Sequence, residues 1–386
     1  MSSPNSSLVS SRSFQRTFAV VFSFQSWVLL QSRLNVMADE EGHQKSPERV
    51  QGPPVGIFPA EHWLDQEPQA ADDDDADSAL GSAQSSTASI DSTILNYRTL
   101  LGRRYHSEIG NAKYWVSNDE KANESQDIVH HCLTLALGGK LHLAPLDKDR
   151  VQNAVDIGTG TGIWAIDFAD EFPAAEVTGT DISPIQPTWV PPNLKFELED
   201  CTHDWTFNHE SFDYIHMRWL LGSIVDWTAL FKQAYLSCKP GGWLESFETS
   251  SRFESDDGSV VETSALGQWG KIFEQGSNVF GRSFSVVDDG IQRKAMEEAG
   301  FVDIEEFNFK IPVGGWPKGE KQKEIGRFAQ LSIEQDVEGY VLLMATTLGW
   351  TRDEILVYIA HIKREVRSGK FHPYYRQKIV WGRKPD

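Results

Sequence analysis

From about residue 120 onward the chain switches between runs of period two and runs of period about 3.6, the mark of strands alternating with helices. Ala154, Val155 and Ile157 form a short apolar strand. Ile163, Ala165, Ile166, Phe168, Ala169 and Phe172 then fall on one face of a helix that stops before Pro173. Glu176–Asp181 reads as a second strand, Leu194–Cys201 as a half-buried third, and Ser211–Arg218 as a fourth. A Pro-Gly-Gly turn at Pro240, Gly241 and Gly242 feeds a fifth. A helix over Gly290–Ala299 precedes a strand at Gly300–Phe307, and Tyr374–Gly382 reads as the last strand. Upstream, Ile128, Val129, Cys132, Leu133 and Leu135 give a helical face; His130 and His131 beside them read as helix-face residues rather than metal ligands. Between the last two strands, Thr351–Glu354 is a capping box with Trp350 and Ile355 as its hydrophobic staple. The alternation predicts a doubly wound, mainly parallel α/β sheet with a helical insertion before the last strand. Ligands in such sheets sit beyond the carboxyl ends of the strands.

The candidate chemistry lies at those ends. Asp156 is followed by Gly158, Thr159, Gly160, Thr161 and Gly162, so three glycines stand at alternate positions between a strand and a helix start. Glycines there can take φ > 0 and bring bare backbone against a ligand, and the helix N-terminus offers free N–H groups. Two cofactor classes fit the loop. Gly160-x-Gly162-x-x-Ala165 matches the dinucleotide fingerprint, and Asp156-x-Gly158-x-Gly160-x-Gly162 matches the pattern of S-adenosylmethionine enzymes. Both expect an acid about 20 residues further on, and Asp181 is that acid. Its carboxylate is suited to accept both hydroxyls of a ribose. A turn that serves packing alone is the other reading of the glycines.

Several motifs then occur in order: the glycine loop, Asp181 closing the second strand, Glu199-Asp200-Cys201 after the third, Phe212-Asp213-Tyr214-Ile215-His216 in the fourth, and Cys238-Lys239-Pro240-Gly241-Gly242-Trp243-Leu244 before the fifth. Together they resemble a class I S-adenosylmethionine-dependent methyltransferase. His216-Met217-Arg218-Trp219-Leu220, Gly222-Ser223-Ile224 with Asp226-Trp227, and the upstream Arg103-Arg104-Tyr105-His106 resemble the fungal LaeA-like methyltransferases linked to secondary-metabolism regulation. The likeness spans roughly residues 96–386. It implies a seven-stranded sheet whose last two strands pair antiparallel, and S-adenosyl-L-methionine as cofactor. By that likeness Asp156, Gly158, Thr159, Gly160, Gly162, Asp181, Ile182, Asp200, Cys201 and Arg218 bind the cofactor: the loop and helix start meet the methionyl part, Asp156 its ammonium, Asp181 the ribose, Asp200 with Cys201 the adenine edge. Tyr105, His106 and His216 are the expected substrate-side residues, with Tyr114 beside them; aromatic packing under the first helix is the competing account. Arg218 and His216 would orient the acceptor or the cofactor's carboxylate. His203 is either a general base or a surface residue beside Asp204. No protein nucleophile is needed, so the catalytic residues stay open. The helical insertion, about 316–369, either roofs the substrate or lengthens the core. Two rival functions remain at this stage: an NAD(P)-dependent oxidoreductase, and a non-catalytic regulator that keeps the pocket and acts through protein contacts.

Composition narrows the picture further. The chain has 386 residues, 40% of them hydrophobic, and a net charge of −20. That balance argues against direct nucleic-acid binding, which needs a clustered basic face. The partners expected are a small-molecule or protein methyl acceptor and regulatory proteins. Residues 38–95, with Asp72–Asp75 amid Gln, Ser, Pro and Ala, cannot bury enough apolar surface to offset chain ordering and are read as a disordered acidic tail. Residues 1–37 hold no acid and an apolar run at 17–30, as a mitochondrial transit peptide would. That run is short and interrupted against the ~20 residues of a membrane span. Met37-Ala38-Asp39 resembles a translation start, so an over-extended gene model is the alternative. Cys132, Cys201 and Cys238 have no paired short spacing, so neither a metal site nor a disulfide framework is expected. The setting expected is intracellular, nuclear or cytoplasmic, and mitochondrial if the leader is real.

Overall fold

The computed structural model describes residues 56–64, 97–106 and 114–386. The expected leader at 1–37 and most of the acidic tail lie outside the described residues. Within the tail, however, residues 56–64 are ordered against the body. The short helix α1 (Glu61–Leu64) buries Trp63, whose ring lies 5.1 Å from Tyr358 and 5.5 Å from His361, and Phe58 N–H donates to Gln268. The expectation of disorder fails there because Phe58 and Trp63 supply the apolar area that the surrounding acids and serines lack.

A hairpin follows, β1 (Arg98–Leu100) and β2 (Arg103–Tyr105), turning through Leu101 and Gly102 at φ 50° and 87°. Helix α2 (Glu120–Ala136) is capped by Asp119, which accepts from Ala122 N–H. The main sheet then builds outward from its centre: β3 (Asn153–Ile157), α3 (Ile163–Glu171), β4 (Glu176–Asp181), β5 (Leu194–Leu198). The chain returns to the other side of β3 with β6 (Phe212–Arg218), α4 (Trp227–Ser237) and β7 (Cys238–Thr249). Helices α5 (Ala265–Phe280) and α6 (Ile291–Ala299) precede β8 (Val302–Pro312), and α7 (Glu320–Thr347) with α8 (Arg352–Arg367) precedes β9 (Tyr374–Arg383).

The seven strands lie in the order β5-β4-β3-β6-β7-β9-β8, with β9 antiparallel to both neighbours and the other pairs parallel. The chain reverses direction of growth between β3 and β6. The carboxyl ends of those two strands therefore splay apart and leave a crevice. On one face of the sheet α3 packs Trp164, Phe168 and Phe172 as a stacked series against Tyr214. Each such fully buried ring contributes about 1.5–3 kcal/mol relative to exposure. The opposite face carries the larger core, which runs continuously into α5, α7 and α8.

Of the inserted helices, α7 reaches that crevice through Tyr340. The capping box of α8 is present in full, Thr351 Oγ1 accepting from Glu354 N–H and Glu354 accepting from Thr351 N–H. Helix α7 breaks at Asp336, which has φ −146° and ψ 47° and accepts from Gly339 N–H, so it caps the second half of its own helix. Arg103 holds the break in place. Its guanidinium donates to Asp119 at 2.6 Å, Asp336 at 2.6 Å and Ser117 at 2.7 Å, tying the hairpin, the start of α2 and the bend of α7 to one point.

Candidate active site

The crevice outside β3 and β6 encloses about 1330 Å³, part of it open to solvent. Its floor is the glycine loop. Gly158, Gly160 and Gly162 have φ of 71°, 58° and 82°, which side chains adopt at a cost. Thr159 N–H donates to Thr180 O, Thr161 Oγ1 to Asp127, and Gln186 Nε2 to Gly160 O, so the loop is fastened to β4, α2 and the turn after Asp181.

Asp181 sits at the rim with both oxygens engaged, accepting from Gly160 N–H at 2.8 Å and from Ser183 N–H at 2.9 Å. Burial pushes its pKa up to about 6, against the pull of those amides. Asp156 is buried beneath the loop, accepting from Thr159 Oγ1 at 2.6 Å and paired with His216 Nδ1 at 2.7 Å. Asp200 accepts from Thr202 through Oδ1, while its buried Oδ2 has no hydrogen-bond partner; His203 Nδ1 stands 3.3 Å from it. His203 itself is about half exposed, outside the cleft lining. Arg218 is held by His130 Nδ1 at 3.1 Å, and His130 in turn meets Asp167 at 2.9 Å. Burial lowers the pKa of Arg218, and it forms no ion pair with a carboxylate among the described residues.

Of the expected cofactor residues, Asp156, Gly158, Thr159, Gly160, Asp181, Ile182, Asp200, Cys201 and Arg218 line this cleft. Gly162 does not. A Cβ there would stand 2.3 Å from the ring of Phe196, so this glycine serves a close packing of loop on strand. The expected substrate residues are displaced too. His216 is sealed under Trp164, stacked at 3.6 Å, where it steers Asp156. Tyr105 is buried beside the Arg103 clamp, and His106 accepts Tyr114 N–H through Nε2. It thereby fixes the entry to the segment Tyr114–Asn118, and that segment is what forms the wall of the cleft. Trp219, Leu220, Leu221 and Tyr340 complete the wall and were not read from the sequence. Trp219 follows directly on Arg218 at a strand end, a position where any residue faces the crevice.

The turn at Leu220 and Leu221 hangs on a buried carboxylate: Glu248 accepts both their amides at 2.9 and 3.0 Å. Burial pushes its pKa up to about 8, and that of Glu245, which accepts Leu143 and Ala144 N–H, up to about 7. The folded chain therefore binds protons that the unfolded chain releases, so these two groups make stability fall as pH rises from 4.5 to about 8. Glu248→Gln is expected to lower Tm at acid pH, since one buried amide loses its acceptor at about 1–3 kcal/mol, and to close or reverse that difference as pH approaches 8, where the wild-type carboxyl ionises in a buried site. It should also flatten the decline of Tm between those pH limits. Thermal unfolding monitored across that range checks both effects, and parallel curves for variant and wild type would refute the assignment.

Charge separates the two cofactor classes. Among the described residues the lining carries Asp156, Asp181, Glu199 and Asp200 against Arg218 alone. A pyrophosphate would meet net repulsion there, whereas a ligand bearing a sulfonium and an ammonium meets attraction. A methyltransferase domain family model matches residues 129–306. Methyltransferase pytC of Aspergillus terreus is 36% identical over 313 residues, covering 81% of this chain and 95% of the relative. Secondary metabolism regulator LAE1 of Cochliobolus heterostrophus is 33% identical, covering 74% and 94%. The chain belongs to the LaeA-like methyltransferase family. Probable methyltransferase tdiE of Emericella nidulans is a further relative, 33% identical over 70% of this chain and 84% of the relative. As a LaeA-like methyltransferase the chain is an S-adenosylmethionine-dependent enzyme with the seven-stranded sheet of that class, and the oxidoreductase alternative finds no support. Among the described residues no helix is long and apolar enough to cross a membrane.

Proposed function

We propose that this LaeA-like methyltransferase binds S-adenosylmethionine along the crevice and methylates an acceptor in fungal secondary metabolism, where its relative LAE1 is placed by name. The observation that carries the reading is the Asp181 carboxylate, pinned by two amides at the edge of an acid-rich cleft. So fixed, each oxygen keeps a lone pair for one hydroxyl of a ribose diol. The orphaned Oδ2 of Asp200 is an acceptor suited to the exocyclic amine of adenine, with Cys201 beside it. Gly158 and Gly160 line the cleft with backbone, along which a methionyl chain would lie, and Arg218 supplies the cation for its carboxylate. Asp156, already bonded to Thr159 and His216, acts on the ammonium through its charge rather than through a free oxygen.

Bound there, S-adenosylmethionine supplies an electrophilic methyl carbon. The protein's part is to orient the acceptor's lone pair toward it and to keep water out, the two contributions that positioning enzymes rely on. Tyr114, Trp115, Trp219 and Tyr340 form an aromatic, water-excluding wall of the cleft.

Asp181→Ala should weaken S-adenosylmethionine binding by about 1.5–3 kcal/mol, the value of charged hydrogen bonds. The ionised carboxylate is the binding form, so wild-type affinity should also fall as pH drops through about 6. Asp181→Asn should be weak and flat with pH. Calorimetric titration with S-adenosylmethionine and, as a control, NADP reads all three; unchanged affinity in the alanine variant would remove Asp181 from the site.

A further inference from the structure

Behind the cofactor crevice lies a second chamber of about 610 Å³, part of it open, which shares Trp115, Val129, Trp219, Leu221 and Tyr340 with the first. Its own walls come from β7, α5, α7 and β9, so the inserted helix α7 closes it together with α5. Phe253, Trp269, Phe273, Phe284 and Tyr375 line it. These rings meet edge to face or tilted, Trp115 standing 5.4 Å from Phe273 and 5.2 Å from Phe284. Among the described residues the lining contains no carboxylate and no histidine, and its one charged side chain, Arg252, is paired with Glu274.

We propose that this chamber seats the methyl acceptor, and that the acceptor is a small, flat aromatic molecule carrying an acidic hydroxyl of the phenol or enol type. The proposal rests on the reading that S-adenosylmethionine occupies the first crevice. The lining fits such a guest: the walls are aromatic and almost wholly apolar, so a flat ring can lie between them. A lysine or arginine side chain fits poorly, because its cation would be stripped of water with no carboxylate to receive it. The absence of a base among the lining residues narrows the acceptor further. An aliphatic alcohol would need a strong base in the chamber, whereas a phenol, with a pKa of about 10, enters neutral and loses its proton to water at the chamber's open side as its oxygen meets the sulfonium.

The junction between the chambers carries two marks of a built passage. Trp219 has φ 57°, a conformation that a bulky residue holds only when its surroundings enforce it, and its buried Nε1–H has no hydrogen-bond partner. Its amide is fixed to Phe247 O at 2.9 Å, and Trp115 across the junction is fixed by Nε1–H to Leu221 O at 2.9 Å. At this junction the acceptor's oxygen would face the first crevice. In the transfer a lone pair of that oxygen forms the new O–CH3 bond while the S–CH3 bond breaks. The bonding pair stays on sulfur, which becomes a neutral thioether, and the hydroxyl proton has left to solvent. Anion and cation thus cancel, and an apolar, dehydrated chamber favours a step that removes charge.

The test uses the full chain loaded with S-adenosylhomocysteine, titrated with 2-naphthol and 7-hydroxycoumarin, followed by turnover with S-adenosylmethionine and mass spectrometry of the methyl ethers. Ser332→Phe fills the chamber and Trp269→Leu removes one of its rings, and neither residue lines the first crevice. Both variants should bind S-adenosylhomocysteine within about twofold of wild type, which also reports that they fold. Probe affinity should fall about tenfold in Trp269→Leu and be lost in Ser332→Phe. Intact cofactor binding together with no probe binding to the wild type, or equal probe binding by Ser332→Phe, overturns the proposal alone. Methyl transfer to lysine of a protein extract, undiminished by Ser332→Phe, overturns it as well. Failure of the wild type to bind S-adenosylhomocysteine strikes the cofactor reading, and this proposal with it.

Discussion

Arg103→Ala is expected to destabilise the fold by about 3–5 kcal/mol, the range for deleting one partner of a buried charge cluster. Arg103 is 7% exposed and Asp336 is 1% exposed, so the substitution strands a carboxylate that water cannot reach. Burial already raises the pKa of Asp336, with Arg103 as the chief opposing influence. Without the guanidinium, Asp336 should take up a proton and fill its second oxygen poorly. Arg103→Lys should recover little, since one ammonium cannot reproduce the bidentate contacts to Asp119 and Asp336. Arg103→Ala combined with Asp336→Ala should cost less than the sum of the two single changes, because the stranded charge is gone. Urea unfolding followed by tryptophan fluorescence measures the cycle, and a single-variant loss below about 1 kcal/mol would mean the cluster is solvated. The consequence reaches the site: Asn118 and Tyr340 lie next to the clamp's two ends and both line the cleft, so cofactor affinity should fall along with stability.

This clamp marks the boundary of what the sequence discloses. Arg103–His106 attracts attention as a motif, yet nothing in four consecutive residues reveals that the partner of Arg103 is Asp336, inside an inserted helix. The parallel strands and the acids at their ends are legible because each depends on local chemistry, an apolar run cut by a residue that needs water or φ > 0. The hairpin β1–β2 escapes because its strands are three residues each and one carries two arginines. His216 and Arg218 show how local reasoning stops short. Period two puts both on one side of β6, but Trp164 from α3 covers the first and leaves the second at the strand's open end. The wall residues Trp219 and Tyr340 come from a strand end and from an inserted helix more than 100 residues further on, which only the tertiary fold brings together. The ordered 56–64 segment was hidden by its neighbours: two aromatic rings within an acidic stretch leave the composition of the whole unchanged.

Gly162→Ala is expected to cost about 2–5 kcal/mol, and the loss should separate into two parts. One is conformational: the residue keeps φ 82°, where an L side chain costs about 1–2 kcal/mol. The other is steric: the added Cβ would stand 2.3 Å from Phe196 Cζ and 2.8 Å from Cε1, and overpacking of this kind costs about 1–3 kcal/mol. Phe196 cannot retreat, because Gly179 lies against the same ring, with its own Cβ position 2.6 Å from Cδ1. The ring is therefore a spacer held between the loop and β4. Repeating Gly162→Ala in a Phe196→Leu background should remove the steric part and leave the conformational part, which no change at position 196 can relieve. Denaturant midpoints of the four proteins give the two parts directly. Cofactor titration of the same four proteins adds the functional reading. Gly162 lies outside the cleft lining, so any loss of affinity must arise from displacement of Gly160, whose amide holds Asp181. If Phe196→Leu restores affinity together with stability, the ring sets the height of the loop; if it restores stability alone, Gly162 governs the loop through its backbone conformation.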